Sequence, residues 1–159
     1  MTTKNTDLVA NFEATPQVAN SAAELAGVLR TAHGQVELAA GDSTDNDIVM
    51  LAPIPSNASL PTLFVGSDTF GGSCTFNVGI YTSAGVVKDE DIFASSVADA
   101  AAMADVRYEA ANLDTGSKKL FELAGDTTDP GGYFYVGITF NATGGTAGTL
   151  NWNISYVVN

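Results

Sequence analysis

The residues able to do chemistry in this chain are few and scattered. Its one histidine, His33, stands beside Gly34, where a turn is expected. A nucleophilic triad needs that imidazole held by a carboxylate and within reach of a serine, and no Gly-x-Ser-x-Gly elbow accompanies it. His33 is therefore read as a structural or surface residue. The one cysteine, Cys74, excludes an internal disulfide. It runs in register with Phe76, Val78 and Ile80 on the apolar side of an alternating strand, so a buried, unreactive thiol is expected. One His and one Cys fall short of a zinc ligand set. Calcium asks only for oxygen, and Asp42, Asp45, Asn46 and Asp47 are its candidates. They lack the glycine and the closing bidentate glutamate of a helix-loop-helix calcium loop, so a solvated turn is the preferred reading. Gly71-Gly72 and Gly144-Gly145 lack the lysine and the following helix of a phosphate-binding loop and read as turns. No catalytic residue, cofactor or metal is expected.

Tyr133, Tyr135 and Trp152 are the remaining chemical candidates, as an aromatic platform for sugar. Their register separates them. From Gly132 the even positions read Gly132, Phe134, Val136, Ile138, Phe140, and the odd ones Tyr133, Tyr135, Gly137, Thr139, Asn141. After Gly144, Gly145 and Gly148 the alternation resumes as Leu150, Trp152, Ile154, Tyr156 and Val158, interleaved with Asn151, Asn153, Ser155 and Val157. Such alternation marks half-buried antiparallel strands. It turns Trp152 inward to the core and the two tyrosines outward. Neither strand carries Asp, Glu, Lys or Arg, and an uncharged polar face suits packing against another protein surface. Tyr133, Tyr135, Asn151 and Asn153 are the candidate oligomer face.

The elements that must position these residues are mostly strands. The chain has 159 residues with 45% apolar content, enough for one domain with a real core. Residues 1–20 read as an extended N-terminal arm, either a frayed terminus or one that lies on a neighbouring subunit with Leu8, Val9 and Phe12 as its apolar anchors; residues 21–159 form the domain. A short helix over 21–29, or a strand from Val28, opens it. Strands are expected around Val36–Ala40, Ile48–Ala52 ended by Pro53 and Pro55, Leu60–Val65, and Cys74–Thr82, which turns at Ser83-Ala-Gly85 into Val86 and Val87. Residues 89–112 read as a long crossover loop with a helical turn or two around the Ala-rich Val97–Asp105. Leu120–Leu123 reads as a short strand, Asp129-Pro-Gly-Gly132 as a turn, and the two closing strands follow. About eight strands in one all-β domain point to a two-sheet antiparallel sandwich of jelly-roll type.

The charge excludes whole classes of partner. Six basic residues against eighteen acidic ones give a formal net charge of −12. Nucleic acid and anionic membrane attract clustered Lys and Arg, and here only Lys118 and Lys119 adjoin. No apolar run is long enough to span a membrane, and the polar start Met1–Asp7 has no secretion-signal core.

Taken together, several segments carry a resemblance. Arg30 followed by Gly34-Gln-Val-Glu-Leu-Ala-Ala-Gly-Asp42, then the run from Asp47 to Asn57, is similar to a family of small virion proteins of tailed bacteriophages. So are Phe76–Tyr81, Asp89–Ser95, Leu120–Gly125, Asp129–Gly132 and the closing Tyr156–Val158. The family is that of head decoration, or cement, proteins with a jelly-roll fold. The match covers about residues 8–159 and is weakest over Val97–Ala104. The resemblance implies a non-enzymatic protein, made in the host cytoplasm, that binds the outer surface of the phage head. Its implied partners are the major capsid protein and itself, as a trimer by preference or a dimer. A tail, neck or fibre component with host-glycan binding is the alternative. A jelly-roll hydrolase or lyase would need a cleft of convergent titratable groups, which a single His and few Lys or Arg do not supply.

Overall fold

Alternating apolar residues sort the chain into strands that must cover one face each, and two sheets do so by closing on one another. The computed structural model describes residues 9–11, 14–19, 27–109 and 115–158. Among these, eight strands follow in order: β1 (Leu29–Leu38), β2 (Ile48–Pro55), β3 (Ala58–Ser67), β4 (Thr75–Tyr81), β5 (Val87–Ala98), β6 (Ala104–Asp105), β7 (Tyr133–Phe140) and β8 (Gly148–Val158). Sheet 1 has the order β1-β8-β3-β6 and sheet 2 the order β2-β7-β4-β5. Every pairing is antiparallel.

That order has a simple origin. β1·β8, β2·β7, β3·β6 and β4·β5 are the pairs of one long hairpin whose tip is the β4–β5 turn. Rolling it about a common core adds β8·β3 and β7·β4. This is the jelly-roll arrangement, and the all-β jelly-roll sandwich expected from the sequence is the fold observed. At the tip, Gly85 takes φ +75°, a conformation a side chain disfavours, and its N–H donates to Thr82 O at 3.0 Å.

The core lies between the sheets. Leu60, Leu63, Phe70, Phe76, Ile80 and Phe93 are fully buried there, as are Val136, Ile138, Phe140, Leu150 and Ile154. Phe140 meets Phe70 and Phe76 edge-on at centroid distances of 5.4 and 6.1 Å. Burying each such side chain stabilises the fold by roughly 1.5–3 kcal/mol. One charge pair is buried alongside. Arg107 grips Asp105 with two hydrogen bonds of 3.0 Å and donates from Nη1 to Leu60 O at 2.7 Å. That carbonyl sits where the β3–β8 register shifts between Ser59 and Thr62, beside Pro61. The guanidinium thus satisfies backbone at the bulge where Pro61 has no N–H to give.

Several local expectations give way. The two closing strands do not pair: β7 joins β2 and β4 in sheet 2, and β8 joins β1 and β3 in sheet 1. Each is an interior strand rather than a sandwich edge. β2 continues through Pro53 and Pro55 because it is an edge strand bonded only to β7, where a missing N–H faces outward. The helical crossover is instead β5, running to Ala98, followed by β6 and a 3₁₀ turn at Val106–Glu109. Leu120–Leu123 is one turn of helix, α1, not a strand. Its buried Leu120 and Leu123 are spaced for a helix, and the Glu122 carboxylate accepts from Lys119 N–H at 2.8 Å. His33 lies within β1 rather than in a turn.

Of the arm, Leu8 and Phe12 lie outside the described residues, as do residues 20–26 of the expected helix. Val9 is exposed, residues 9–11 form a helical turn, and Val18 N–H donates to Asn11 O at 3.1 Å.

Candidate interaction surfaces

Because the core lies between the sheets, the odd residues of β7 and β8 point away from it in opposite directions. Tyr133 and Tyr135 therefore belong to the outer face of sheet 2, and Asn151 and Asn153 to that of sheet 1. The four do not share one surface.

The outer face of sheet 1 is open. His33 stands opposite Asn153 and Gln35 opposite Asn151. With Met103 and the edge of Trp152 they line a shallow groove of about 430 Å³. Met103, 47% exposed, crosses Gly66 so closely that a Cβ there would stand 2.8 Å from its backbone N. Trp152 packs against the core with Leu150 and Ile154, the inward direction its register requires. A Cβ on Gly34 would meet its ring at 2.9 Å, so Gly34 makes room for the indole. No formal charge lines this groove, and among the described residues no hydrogen bond joins His33 to a carboxylate.

The outer face of sheet 2 is closed. Gly79 of β4 stands opposite Gly137 of β7, and Asn77 opposite Thr139. β5 bulges between Asp89, which pairs with Ile80, and Ala94, which pairs with Val78. The bulge lies on Gly79 so tightly that a Cβ would sit 2.1 Å from Asp89 O. The Tyr81 ring lies over Gly137, with its hydroxyl 2.6 Å from Thr139 Oγ1. Tyr81 is wholly buried although it points out of the core sandwich. Burial pushes its phenol above the ordinary tyrosine value, and the carboxylates of Glu90, Asp89 and Asp91 add to that rise. Burial likewise raises the Asp89 carboxyl, with Asp91 beside it adding to the shift. Of the two outward tyrosines read from the sequence, Tyr133 is 63% exposed and Tyr135 half-buried. The sequence reading missed Tyr81. Its signal was the registered pair of glycines, which leaves room for a large ring on the outer face.

The loops between β1 and β2, β3 and β4, β5 and β6, and β7 and β8 meet at one end of the roll. Asp99 Oδ2 accepts from Phe70 N at 2.7 Å and Gly71 N at 3.2 Å. Gly144 N donates to Ser43 O, and Thr146 N to Phe70 O, both at 2.8 Å. The loops at Ser67–Ser73 and Asn141–Gly148 are both part of this end. The calcium candidates are spent on turns within it. Asp42 Oδ2 accepts from Ala39 N and Asp45 Oδ2 from Asn46 Nδ2, while Asp47 accepts from the N–H and hydroxyl of Thr44, which hold its carboxyl below the usual value. Among the described residues no group of three or more His, Cys, Asp or Glu converges. Cys74 is buried here, donating from Sγ to Ala142 O at 3.1 Å, and burial raises its thiol pKa. These loops carry no Lys or Arg; Arg30, Lys88, Arg107, Lys118 and Lys119 all belong to the other end.

No protein-family model matches the sequence, and no curated protein matches it. Among solved structures, a chain of the capsid of Ralstonia phage GP4 is similar, with a TM-score of 0.52 and 19% identity, over 84% of this chain and 86% of that one. A chain of the cyanophage Pam1 capsid asymmetric unit aligns over the same shares with a TM-score of 0.43 and 15% identity. At the identity of the GP4 match, what is common is the fold.

Proposed function

We propose that this chain is a bacteriophage virion structural protein without enzymatic activity, specifically a decoration protein. It seats on the outside of the assembled head and ties neighbouring major capsid subunits together. The observation that carries the reading is the fold shared along 84% of the chain with a chain of the GP4 capsid; the sequence resemblance points the same way. A protein that binds the assembled lattice and not its free subunits stabilises the lattice by mass action, and many copies let modest contacts sum. An open sheet face with an uncharged groove and one end of hydrogen-bonded loops suit such contacts. Self-association belongs to the same reading, a trimer fitting threefold positions of a shell and a dimer twofold ones. Whether the arm anchors Leu8, Val9 and Phe12 take part is a proposal of the same kind.

Purified protein added to undecorated, expanded heads should occupy them stoichiometrically and symmetrically in a cryo-electron microscopy reconstruction, and should raise their melting temperature. Bare heads after saturation would overturn the reading. The amide-lined groove on sheet 1 favours the alternative, a tail, neck or fibre component that binds host glycan. Copy number in the particle separates the two, since decoration needs many copies and a tail tip few.

A further inference from the structure

Among the described residues the two sheets have four edge strands, and three of them are blunted. β2 carries Pro53 and Pro55 and a register shift at Met50/Ala52. β5 is bulged and bears Lys88, Asp89, Glu90 and Asp91. β6 is two residues long. β1 is different: it pairs with β8 in unbroken register from Leu29 to Leu38, contains no proline, and bonds to no other strand. A long regular edge presents a row of unpaired N–H and C=O groups that another extended strand can join.

We propose that a second copy of this chain adds its own β1 to this edge, antiparallel, about a twofold axis at His33. The two sheets then run on as β3-β8-β1-β1-β8-β3. The charges at the ends of β1 favour the antiparallel direction, although Arg30 and Glu37, of opposite parity, lie on opposite faces of the sheet. β1 holds Arg30 near its start and Glu37 near its end, with no formal charge between them. Antiparallel pairing sets each Arg30 end beside the other copy's Glu37 end, whereas parallel pairing would set like ends together. In a chain of net charge −12 this neutral edge is a place where two copies approach without repulsion.

The position of the axis follows from two constraints. A twofold that keeps both cores on the same side pairs residues of like parity, so it passes through a residue rather than between two. Centred on His33, it sets Leu29 opposite Glu37 and Thr31 opposite Gln35. That register covers Leu29, which is 58% exposed, whereas centring on Gly34 would leave Leu29 out and spend pairing on Leu38, already buried. The inference refines the self-association in the proposed function but rests on the chain alone, so head binding and β1 pairing can fail separately.

Thr31→Cys, His33→Cys and Gln35→Cys test it in the full chain, since all three side chains are exposed and Cys74 is 1% exposed. Directly opposed residues have Cβ atoms about 4.5–5.5 Å apart, close to disulfide reach, while residues four positions out of register are roughly 13 Å apart and cannot bridge. Under mild oxidation H33C should crosslink to a dimer at least about tenfold faster than T31C or Q35C alone. An equimolar mixture of T31C and Q35C should crosslink to each other. The wild-type chain should sediment as a dimer at the same concentration. Equal self-crosslinking at all three positions means parallel pairing and overturns the proposal. So does no crosslinking, a wild-type monomer, or β1 amides protected from exchange within a monomer, which would put a segment of residues 1–28 on the edge instead.

Discussion

The two outer faces of the roll are built from the same kind of strand and end in opposite states. On sheet 1, β1 and β8 present His33, Gln35, Asn151 and Asn153 to an open groove, which among the described residues only Met103 reaches across. On sheet 2, β4 and β7 present Gly79, Gly137 and Thr139, and these are covered by the β5 bulge and the Tyr81 ring. The difference lies in residue size at facing positions. Two glycines in register on β4 and β7 let the chain fold back over its own sheet and bury an aromatic outside the main core. Gly34 and Gly66 on sheet 1 are each next to larger residues and admit one side chain or one backbone segment. One face is thus completed by β5 and Tyr81, and the other, among the described residues, is crossed by the Met103 segment alone.

The largest expected effect falls on the closed face. In Gly79→Ala the new methyl would meet backbone of Asp89 and Glu90 at 2.1–2.5 Å, and backbone cannot step aside as a side-chain tip can. Replacing a strand glycine returns about 0.5–1 kcal/mol, far less than this clash, so a net loss of about 3 kcal/mol is expected in denaturant unfolding. A near-neutral Gly79→Ala would show that the bulge does not seal sheet 2.

Tyr81→Phe is next. It leaves the buried Thr139 hydroxyl without its partner, which costs roughly 1–2 kcal/mol at neutral pH. The pH dependence separates this loss from simple repacking. The folded phenol titrates above the unfolded one, so its contribution is fully present below the unfolded value of about 10 and is lost as pH rises through the folded value. The wild-type chain should lose stability in that alkaline window and Tyr81→Phe should lose less. Matching alkaline profiles would mean that Tyr81 is not shielded.

These two faces also show how far the sequence could be read. Strand existence was legible in period-two runs: Phe134, Val136, Ile138 and Phe140 are all buried, as are Leu150 and Ile154. Pairing was not, because alternation says which side of a strand is apolar and nothing about its neighbour. Consecutive strands usually pair, yet the loop through Gly144 and Gly145 carries the chain from one sheet to the other. The proposed oligomer face split for that reason, Tyr133 and Tyr135 going one way and Asn151 and Asn153 the other. β5 was hidden because its bulge breaks the period where Asp89-Glu-Asp91 sits, and its Ala-rich end has helical composition. Leu120-Phe-Glu-Leu123, with three apolar residues in four, suits a short buried strand by composition, while the i, i+3 spacing of its buried leucines belongs to the helical turn.

On sheet 1 the same kind of substitution should cost less. Gly34→Ala places a methyl 2.9 Å from the Trp152 ring, a side chain whose edge borders the groove and can shift. Gain in strand propensity offsets most of the strain, leaving a net loss below about 1 kcal/mol. Indole fluorescence should change while the unfolding midpoint moves little. A loss as large as that of Gly79→Ala would erase the contrast between the two sheets.

The smallest stability change and the sharpest functional one are expected from the double variant Asn151→Arg, Asn153→Arg. Both side chains point from an interior strand into the open groove, so the fold should tolerate them within about 0.5 kcal/mol. Asn153 stands beside His33, on which the proposed twofold is centred. Two new positive charges per copy near that axis repel their counterparts, and dimerisation should weaken by about tenfold or more, partly recovered in high salt. Tyr133→Arg, on the far side of the roll, should leave both stability and association unchanged. If Tyr133→Arg dissociates the copies and the double variant does not, the contact surface is the outer face of sheet 2, and the neutral groove on sheet 1 faces something other than a sister chain.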